Sequence, residues 1–538
     1  MPTVNANGRQ RSLLRSFLFL LERDRTEFAM VVIASSMLCG IEGVLHPLLT
    51  KAIFDQAASR GNFHQFVGLI LGYLALGLFA NISGYGVSLW QLALDNKIVL
   101  RISRDMLQSY YQKDYRDILR EGHGYYITRI RGDVKEGVLP MLALVRLMAN
   151  QLTRLIALIS VLIFISWKAF LILCAIIPIS SIVSTVVGKK IREFTSLERD
   201  QEAEVVSSLT KSLNAFKIIK NFSLLPRTLS SFEAGMGNVL TSGYKKYRVM
   251  RMLQGAGDLT MVVSDFCSLF VGALFVFWHE MTFGAYLAFM NSFWRSATTL
   301  MDMFSQSADL HSYGVTMQRV VGFLTSGSAA PYYLPGPSVS VTDVGYSYGG
   351  NDVLAGFSIN LAHGERVLIV GPNGSGKTTL ANILSGYLAP SRGEVVLPDR
   401  ISSITLPIAF PAIKVAELGA DPRLLDLFSL QNEELLESEA DELSAGQQQK
   451  LALALALSKE ADLYIMDEPL ANLDVQSKSV AIREIFERTQ RKTLVVIMHG
   501  AEEYYSRFDR VVELGLRSDV QTTFDIKNAG AALMSTAI

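Results

Sequence analysis

Three cysteines, no net charge and few charged side chains mark this 538-residue chain first by what it lacks. Cys39, Cys174 and Cys267 each sit in an apolar run, without metal-ligand spacing and without a partner nearby in sequence. They read as small buried hydrophobes, which excludes a disulfide framework and a cysteine metal site. Lys plus Arg and Asp plus Glu both number 50, so no basic excess is available to neutralise phosphates. That argues against a nucleic-acid partner. No cleavable signal peptide is evident, because Arg9, Arg11, Arg15, Arg23 and Arg25 interrupt the first apolar runs. Residues 13–21 read instead as an interfacial amphipathic helix. There is no internal repeat.

What is abundant is apolar sequence. Hydrophobic residues make up 50% of the chain and charged ones 19%, and the mean hydropathy is +0.28, too apolar for an ordinary soluble protein. Six runs, near 28–50, 63–90, 148–167, 169–187, 260–278 and 283–304, are each long enough to cross a bilayer as helix, which takes about 20 residues. Only Trp167-Lys168 separates the third from the fourth, which predicts a tight outer hairpin. Most Lys and Arg lie in the N-terminus and in 91–147 and 188–251, placing both termini in the cytoplasm. Helical pattern continues beyond the membrane over 92–119 and 189–222. Turn-like breaks at 121–133 and 212–223 are candidate contact points for a cytoplasmic domain.

The composition changes after residue 325. A Ser, Gly and Pro-rich linker (326–337) leads to short β-like runs, giving five segments: an interfacial helix (1–27), a six-helix membrane domain (28–325), the linker, an α/β domain (338–515) and a tail (516–538).

The α/β domain carries the chemistry. Gly371-Pro372-Asn373-Gly374-Ser375-Gly376-Lys377-Thr378 follows the apolar run 366–370 and opens a helix-like stretch at Thr379. This is a phosphate-binding P-loop in strand–loop–helix context. Glycines let the backbone N–H groups point at phosphates, Lys377 reaches the β- and γ-phosphates, and the Thr378 hydroxyl suits Mg²⁺. About ninety residues on, an apolar strand ends in Asp467-Glu468, in the order expected of such a site. Asp467 is placed to hold Mg²⁺ and Glu468 to act as general base on the attacking water. Between them, Leu443-Ser444-Ala445-Gly446-Gln447 opens a helix whose N-terminal N–H groups favour an anion.

These motifs together resemble the ATP-binding cassette (ABC) family, whose signature reads Leu-Ser-Gly-Gly-Gln; Ala445 departs from it by one methyl. Six spans fused N-terminally to a cassette resemble an exporter half-transporter, with some likeness to the cyclic-peptide branch. The resemblance implies an α-helical membrane domain plus an α/β P-loop cassette, ATP and Mg²⁺ as cofactors, and hydrolysis coupled to transport. It assigns Tyr348 to adenine stacking, Asp474 to the D-loop and His499 to the switch position. It also implies a homodimer with head-to-tail cassettes, where Ser444, Gly446 and Gln447 face the partner's P-loop, in a bacterial inner membrane. Two departures stand out. The Gln expected after the strand following the P-loop helix is missing from 401–407, and the short spacing from P-loop to signature predicts a trimmed helical subdomain at 415–442.

Ionisable residues inside spans mark pathways or pairings. Asp258 and Asp265 are two turns apart on the fifth span, and Arg295 and Asp302 two turns apart on the sixth. They form either a site for a cationic or zwitterionic amphipathic substrate, such as a modified peptide, or an Arg295–aspartate lock. Glu42 and His46 on the first span are a lesser candidate. The alternatives are a lipid or lipid-linked precursor flippase and, from another class, a nucleotide-gated membrane regulator that pumps nothing.

Overall fold

The computed structural model describes residues 13–59, 61–174, 197–198, 201–202, 204–326, 332–348, 351–499, 502–515 and 521–525. The chain divides into two compact units, one of residues up to Ser109 together with Tyr126–Ser326, the other of Tyr110–Tyr125 together with the chain from Gly327 onward.

The first unit is helical. Its long helices are Arg25–Ala58, Phe63–Tyr110, Leu139–Cys174, Leu225–Phe277 and Phe283–Thr325. The 48-residue helix Phe63–Tyr110, at about 1.5 Å per residue, is more than twice as long as a hydrocarbon core is thick. Among the described residues, Arg25–Ala58, Phe63–Tyr110 and His123–Leu171 are long and apolar enough to span a membrane, and Asp265–Phe277 is a shorter apolar run. Most of the expected fourth span lies outside the described residues. Helix Leu139–Cys174 breaks at Ser166 (φ −161°, ψ 98°), beside the expected hairpin. Lys168 just beyond pairs with Glu280 at 2.9 Å, tying that corner to the turn after helix Leu225–Phe277.

Helices Arg25–Ala58, Leu139–Cys174 and Phe283–Thr325 pack on one another to form the centre of this unit. Small residues permit the approach: a Cβ on Gly43 would stand 3.0 Å from that of Ala157. Ser35 and Ser36 both donate to Asn150 Oδ1, at 2.8 and 2.9 Å. Arg146 grips Asp95 with two bonds of 2.7 and 2.5 Å in a buried bidentate pair.

The continuous helix expected over 92–119 does not form. It ends at Tyr110, and Asp114 starts a new helix, Tyr115–Glu121, by accepting from Arg116 N at 2.8 Å. Gly122 (φ 78°) ends that helix. The break expected over 121–133 is confined to this glycine, since helix His123–Ile127 and a π-helical stretch, Thr128–Val138, follow at once. The second expected break is present, with a turn at Ala215, helix Phe216–Asn221 and Ser223 at φ 52°.

In the second unit, β1 (Leu334–Pro335), β5 (Arg392–Leu397), β2 (Val339–Tyr348) and β3 (Asn351–Leu361) form one sheet in that order. The other sheet runs β10 (Gln521–Asp525), β9 (Arg510–Leu514), β4 (Arg366–Val370), β8 (Thr493–Ile497), β7 (Leu463–Asp467), β6 (Ile401–Ile404). All its pairings are parallel except β10 with β9. Every residue of β7 and β8 is buried, as expected for parallel strands covered on both faces. Helix Lys377–Leu384 supplies Leu380, Ala381, Ile383 and Leu384 to the core between the sheets. The region 415–442 holds only short pieces, Val415–Leu418, Pro422–Leu427 and Glu433–Glu437.

Candidate functional site

Sheet order assembles the site. β4, β8 and β7 are neighbours, and their C-terminal ends deliver the P-loop, His499 and Asp467-Glu468 to one crevice, where open parallel sheets bind ligands.

The loop needs its glycines. Gly371 has φ 151° and a Cβ there would lie 2.4 Å from the Leu514 carbonyl oxygen; Gly376 has φ 90° and would bring one to 2.9 Å from that of Val353. Lys377 is buried, and its Nζ donates to the carbonyls of Gly371 (2.8 Å) and Pro372 (2.9 Å). Burial lowers its pKa, with Glu468 and Asp467 acting the other way. Ser375 and Thr379 are buried beside it, whereas Asn373, Gly374 and the Thr378 side chain are exposed toward the crevice mouth.

Asp467 is 1% exposed. Burial raises its pKa, and a hydrogen bond with Thr378 and the Lys377 charge oppose the rise. Ser375 Oγ, Asp467 Oδ2 and Glu468 Oε1 are buried with no hydrogen-bond partner among the described residues. Unsatisfied donors and acceptors flanking a buried lysine fit a phosphate chain and its cation.

Glu468 has φ 50°, a left-handed conformation costly for a non-glycine residue. Its N–H donates to Ile497 O at 2.8 Å, and Gln449 Nε2 donates to its carbonyl at 3.3 Å. His499 Nε2 stands 3.7 Å from Glu468 Oε1. Sequence reasoning passed over Gln449, whose 1% exposure marks it out within helix Ala445–Ser458.

Ser444 caps that helix in a reciprocal capping box: Ser444 Oγ accepts from Gln447 N, and Gln447 Oε1 accepts from Ser444 N at 3.0 Å. A Cβ on Gly446 would meet Asn472 O at 2.9 Å, so glycine is needed here. Asp474 caps helix Val475–Arg488, accepting from Ser477 N at 2.8 Å and Oγ at 2.7 Å. Those bonds hold its carboxyl down to about 2. Tyr348 is exposed at the end of β2, its ring edge-on to Tyr346 with centroids 4.7 Å apart. A cavity of about 1100 Å³, lined in part by Lys113, Tyr115, Tyr387, Thr405 and Phe410, opens between segment 110–125 and the strand exit that lacks the expected glutamine.

In the helical unit the expected acidic cluster takes another form. Arg295 pairs with Glu42 of the first span at 3.0 Å, in place of an aspartate. The two helices pack side by side, so Glu42 faces Arg295 while Asp302 lies two turns further along Arg295's own helix. Asp265 and Asp302 are exposed on the unit, and the Asp258 side chain lies outside what is described. His46 Nε2 bonds with the Tyr73 hydroxyl. One residue was missed: Arg154, within the third span, has only the Cys39 thiol at 3.8 Å as partner among the described residues, and its Nε is buried without one. An arginine in an apolar run is the signal that would have found it.

Residues 29–295 match the family described as ABC transporter transmembrane region, and 354–471 match that described as ABC transporter. The chain is 24% identical over 527 residues to the ATP-dependent lipid A-core flippase of Desulfotalea psychrophila, covering 88% of each chain. It is 30% identical to the spermidine/putrescine import ATP-binding protein PotA of Legionella pneumophila, over 33% of this chain and 56% of that one. Among solved structures, a bacterial Atm1-family ABC exporter with ATP bound superposes with a TM-score of 0.72 at 15% identity, covering 93% of this chain and 95% of the other. Residues, fold and relatives agree: the chain belongs to the ABC transporter family, as an ATP-driven exporter that joins a helical membrane region to an ATP-hydrolysing cassette.

Proposed function

We propose that the chain moves an anionic amphipathic lipid or lipid-linked precursor across a bacterial inner membrane, working as a homodimer by alternating access with both termini in the cytoplasm. The carrying observation is Arg154. A guanidinium in a membrane span with no carboxylate partner among the described residues is costly, and Arg154 lies with its main chain against Gly43, next in sequence to the Glu42 that already pairs with Arg295. A phosphate or carboxylate headgroup supplies the missing counter-charge. The lipid A-core flippases among the relatives support the same class of cargo.

In the cassette, Lys377 and the amides of 373–379 would hold the β- and γ-phosphates, Thr378 and Asp467 would hold Mg²⁺, and Tyr348 would stack on adenine. Bound Mg²⁺ neutralises charge developing on the transferred phosphoryl group. Glu468 accepts the proton of the attacking water, and His499, 3.7 Å away, fixes the carboxylate's direction. Ser444, Gly446 and Gln447 of one protomer close on the P-loop of the other, with Asp474 bracing the contact. Directionality requires the two facings of the membrane domain to differ in affinity for cargo.

Peptide export is the second reading, favoured by the exposed acids Asp265 and Asp302. An ATPase screen in reconstituted vesicles separates the two: stimulation by phosphate-bearing lipids supports the first reading, and stimulation by cationic peptides alone the second.

A further inference from the structure

Tyr332 and Tyr333 lie near the point where the chain passes into the second unit at Gly327. Their sequence reads as linker, yet both rings pack against the core between the two sheets, edge-on to each other with centroids 5.8 Å apart. The residues that follow are fixed to β5: Leu334 and Pro335 pair with Val396 and Leu397, and Gly336 N donates to Leu397 O at 3.0 Å.

What Tyr332 touches is the far end of the P-loop helix. Its hydroxyl donates to Ile383 O at 2.6 Å, in the last turn of helix Lys377–Leu384. Burial pushes the phenol's pKa up, against a hydrogen bond from the Leu388 main chain that pulls it down, so the hydroxyl keeps its proton and stays a donor. The backbone turns tightly round this point, with Gly386 N also donating to Ile383 O at 3.1 Å and Leu388 N to Asn382 O at 3.2 Å. Tyr333 braces the same turn, since a Cβ on Gly386 (φ 79°) would stand 3.3 Å from its ring.

The opposite end of the helix carries the chemistry. Gly376 at its N-cap makes no side-chain cap bond, and Lys377 is the first helical residue. Ile383 and Lys377 are about 9 Å apart along the axis, at about 1.5 Å per residue. Buried Leu380, Ala381, Ile383 and Leu384 hold the helix between the sheets, but apolar contact is non-directional and does little to stop sliding along the axis. Helix carbonyls point along that axis, so a hydrogen bond to one near the C-terminus fixes the axial position.

We propose that Tyr332 is a positioning residue of the ATPase site: by gripping the last turn of helix Lys377–Leu384 it sets how far Lys377 and Thr378 reach toward the phosphates. It touches no reacting atom. The stretch that joins the sixth span to the cassette is thereby part of what preorganises the nucleotide site. The inference rests on the proposed roles of Lys377 and Thr378 toward phosphate and Mg²⁺.

The test uses the full-length chain in lipid nanodiscs and follows steady-state hydrolysis against MgATP concentration. Tyr332→Phe keeps the ring and removes the donor. The KM for ATP is expected to rise by about three- to tenfold while kcat stays within about twofold, because contacts to the phosphates are made in ground and transition states alike. Para-aminophenylalanine incorporated at position 332 keeps an N–H where the hydroxyl stood and is expected to return KM to within about twofold of the parent. An unchanged KM in Tyr332→Phe overturns the proposal. So does a fall in kcat at constant KM, or a rise in KM that the aminophenylalanine does not reverse, since each makes Tyr332 a packing residue. Tyr333→Leu loosens the same turn independently and is expected to raise KM in the same direction; a parental KM there contradicts control of the P-loop from this end of the helix. The phosphate placement is read separately: Lys377→Ala should abolish binding of a fluorescent ATP analogue, and binding at the parental level removes the footing of Tyr332's role whatever Tyr332→Phe shows.

Discussion

Gln449 reaches from the signature helix to the main chain of Glu468, its Nε2 donating to the Glu468 carbonyl at 3.3 Å and to that of Pro469 at 3.0 Å. The helix opened by Ser444 thus holds the backbone that carries Glu468, the proposed general base, in the same chain. Gly446 adds to the link by lying against Asn472, four residues beyond Glu468. Replacing Gln449 by Leu leaves the Glu468 carbonyl with Ala471 N at 3.1 Å but takes the donor from the buried Pro469 carbonyl, at a cost of about 1–3 kcal/mol. It is expected to lower kcat more than it raises the KM for ATP, because the left-handed turn at Glu468 loses a support while the P-loop is untouched. Steady-state ATPase kinetics check this, and an unchanged kcat would show that Gln449 is a packing residue only.

Glu468→Gln keeps the shape and removes the base. Hydrolysis should fall by about 10²- to 10⁴-fold, while binding of a fluorescent ATP analogue stays near the parental level. Residual hydrolysis near the parental rate would assign the base elsewhere.

Asp467 yields a pH prediction. Burial raises its folded pKa above the ordinary carboxylate value, so between those two values the folded state holds a proton that the unfolded state has lost. Stability therefore falls as pH rises through that window, and at neutral pH the full cost of the buried charge is present. Asp467→Asn should raise the melting temperature of the nucleotide-free protein at neutral pH, with a gain that shrinks as pH drops through the window. Thermal scans across pH test this; a lower melting temperature at neutral pH would mean that the carboxylate is a net stabiliser. The same substitution should weaken Mg²⁺-dependent nucleotide binding.

Arg154→Leu removes a charge that has no carboxylate partner among the described residues. It should raise stability in detergent and abolish stimulation of ATPase by phosphate-bearing lipid, leaving basal hydrolysis intact. Glu42→Gln should act oppositely on stability, because it strips Arg295 of its partner, and Glu42→Gln with Arg295→Gln should recover much of the loss. Melting curves and lipid-stimulated ATPase together check both.

The parts of the candidate nucleotide site were legible because each is local. A loop of fixed glycines, a strand ending in two carboxylates and a helix opened by Ser444 each declare themselves within a few residues, and parallel strand order brings them together. Contacts between distant elements were not legible. The seven-residue spacing of Arg295 and Asp302 suggested a shared face, yet Arg295 found Glu42 from another helix. Helical periodicity continued past Tyr110, but Asp114 and Gly122 set the boundaries through capping and left-handed geometry. Gln449 and Arg154 carry no motif; burial singles out the first, and the lack of a carboxylate partner among the described residues the second.

ATP hydrolysis is proposed to drive an anionic amphipath across the membrane. The direct measurement places the protein in sealed vesicles with cassettes outward and follows two fluorescent lipids that differ only in a headgroup phosphate, with and without ATP and Mg²⁺. ATP-dependent transfer of the phosphate-bearing lipid to the inner leaflet is expected, lost in Glu468→Gln and in Arg154→Leu. Equal transfer of both lipids, or transfer that persists in Glu468→Gln, would contradict it.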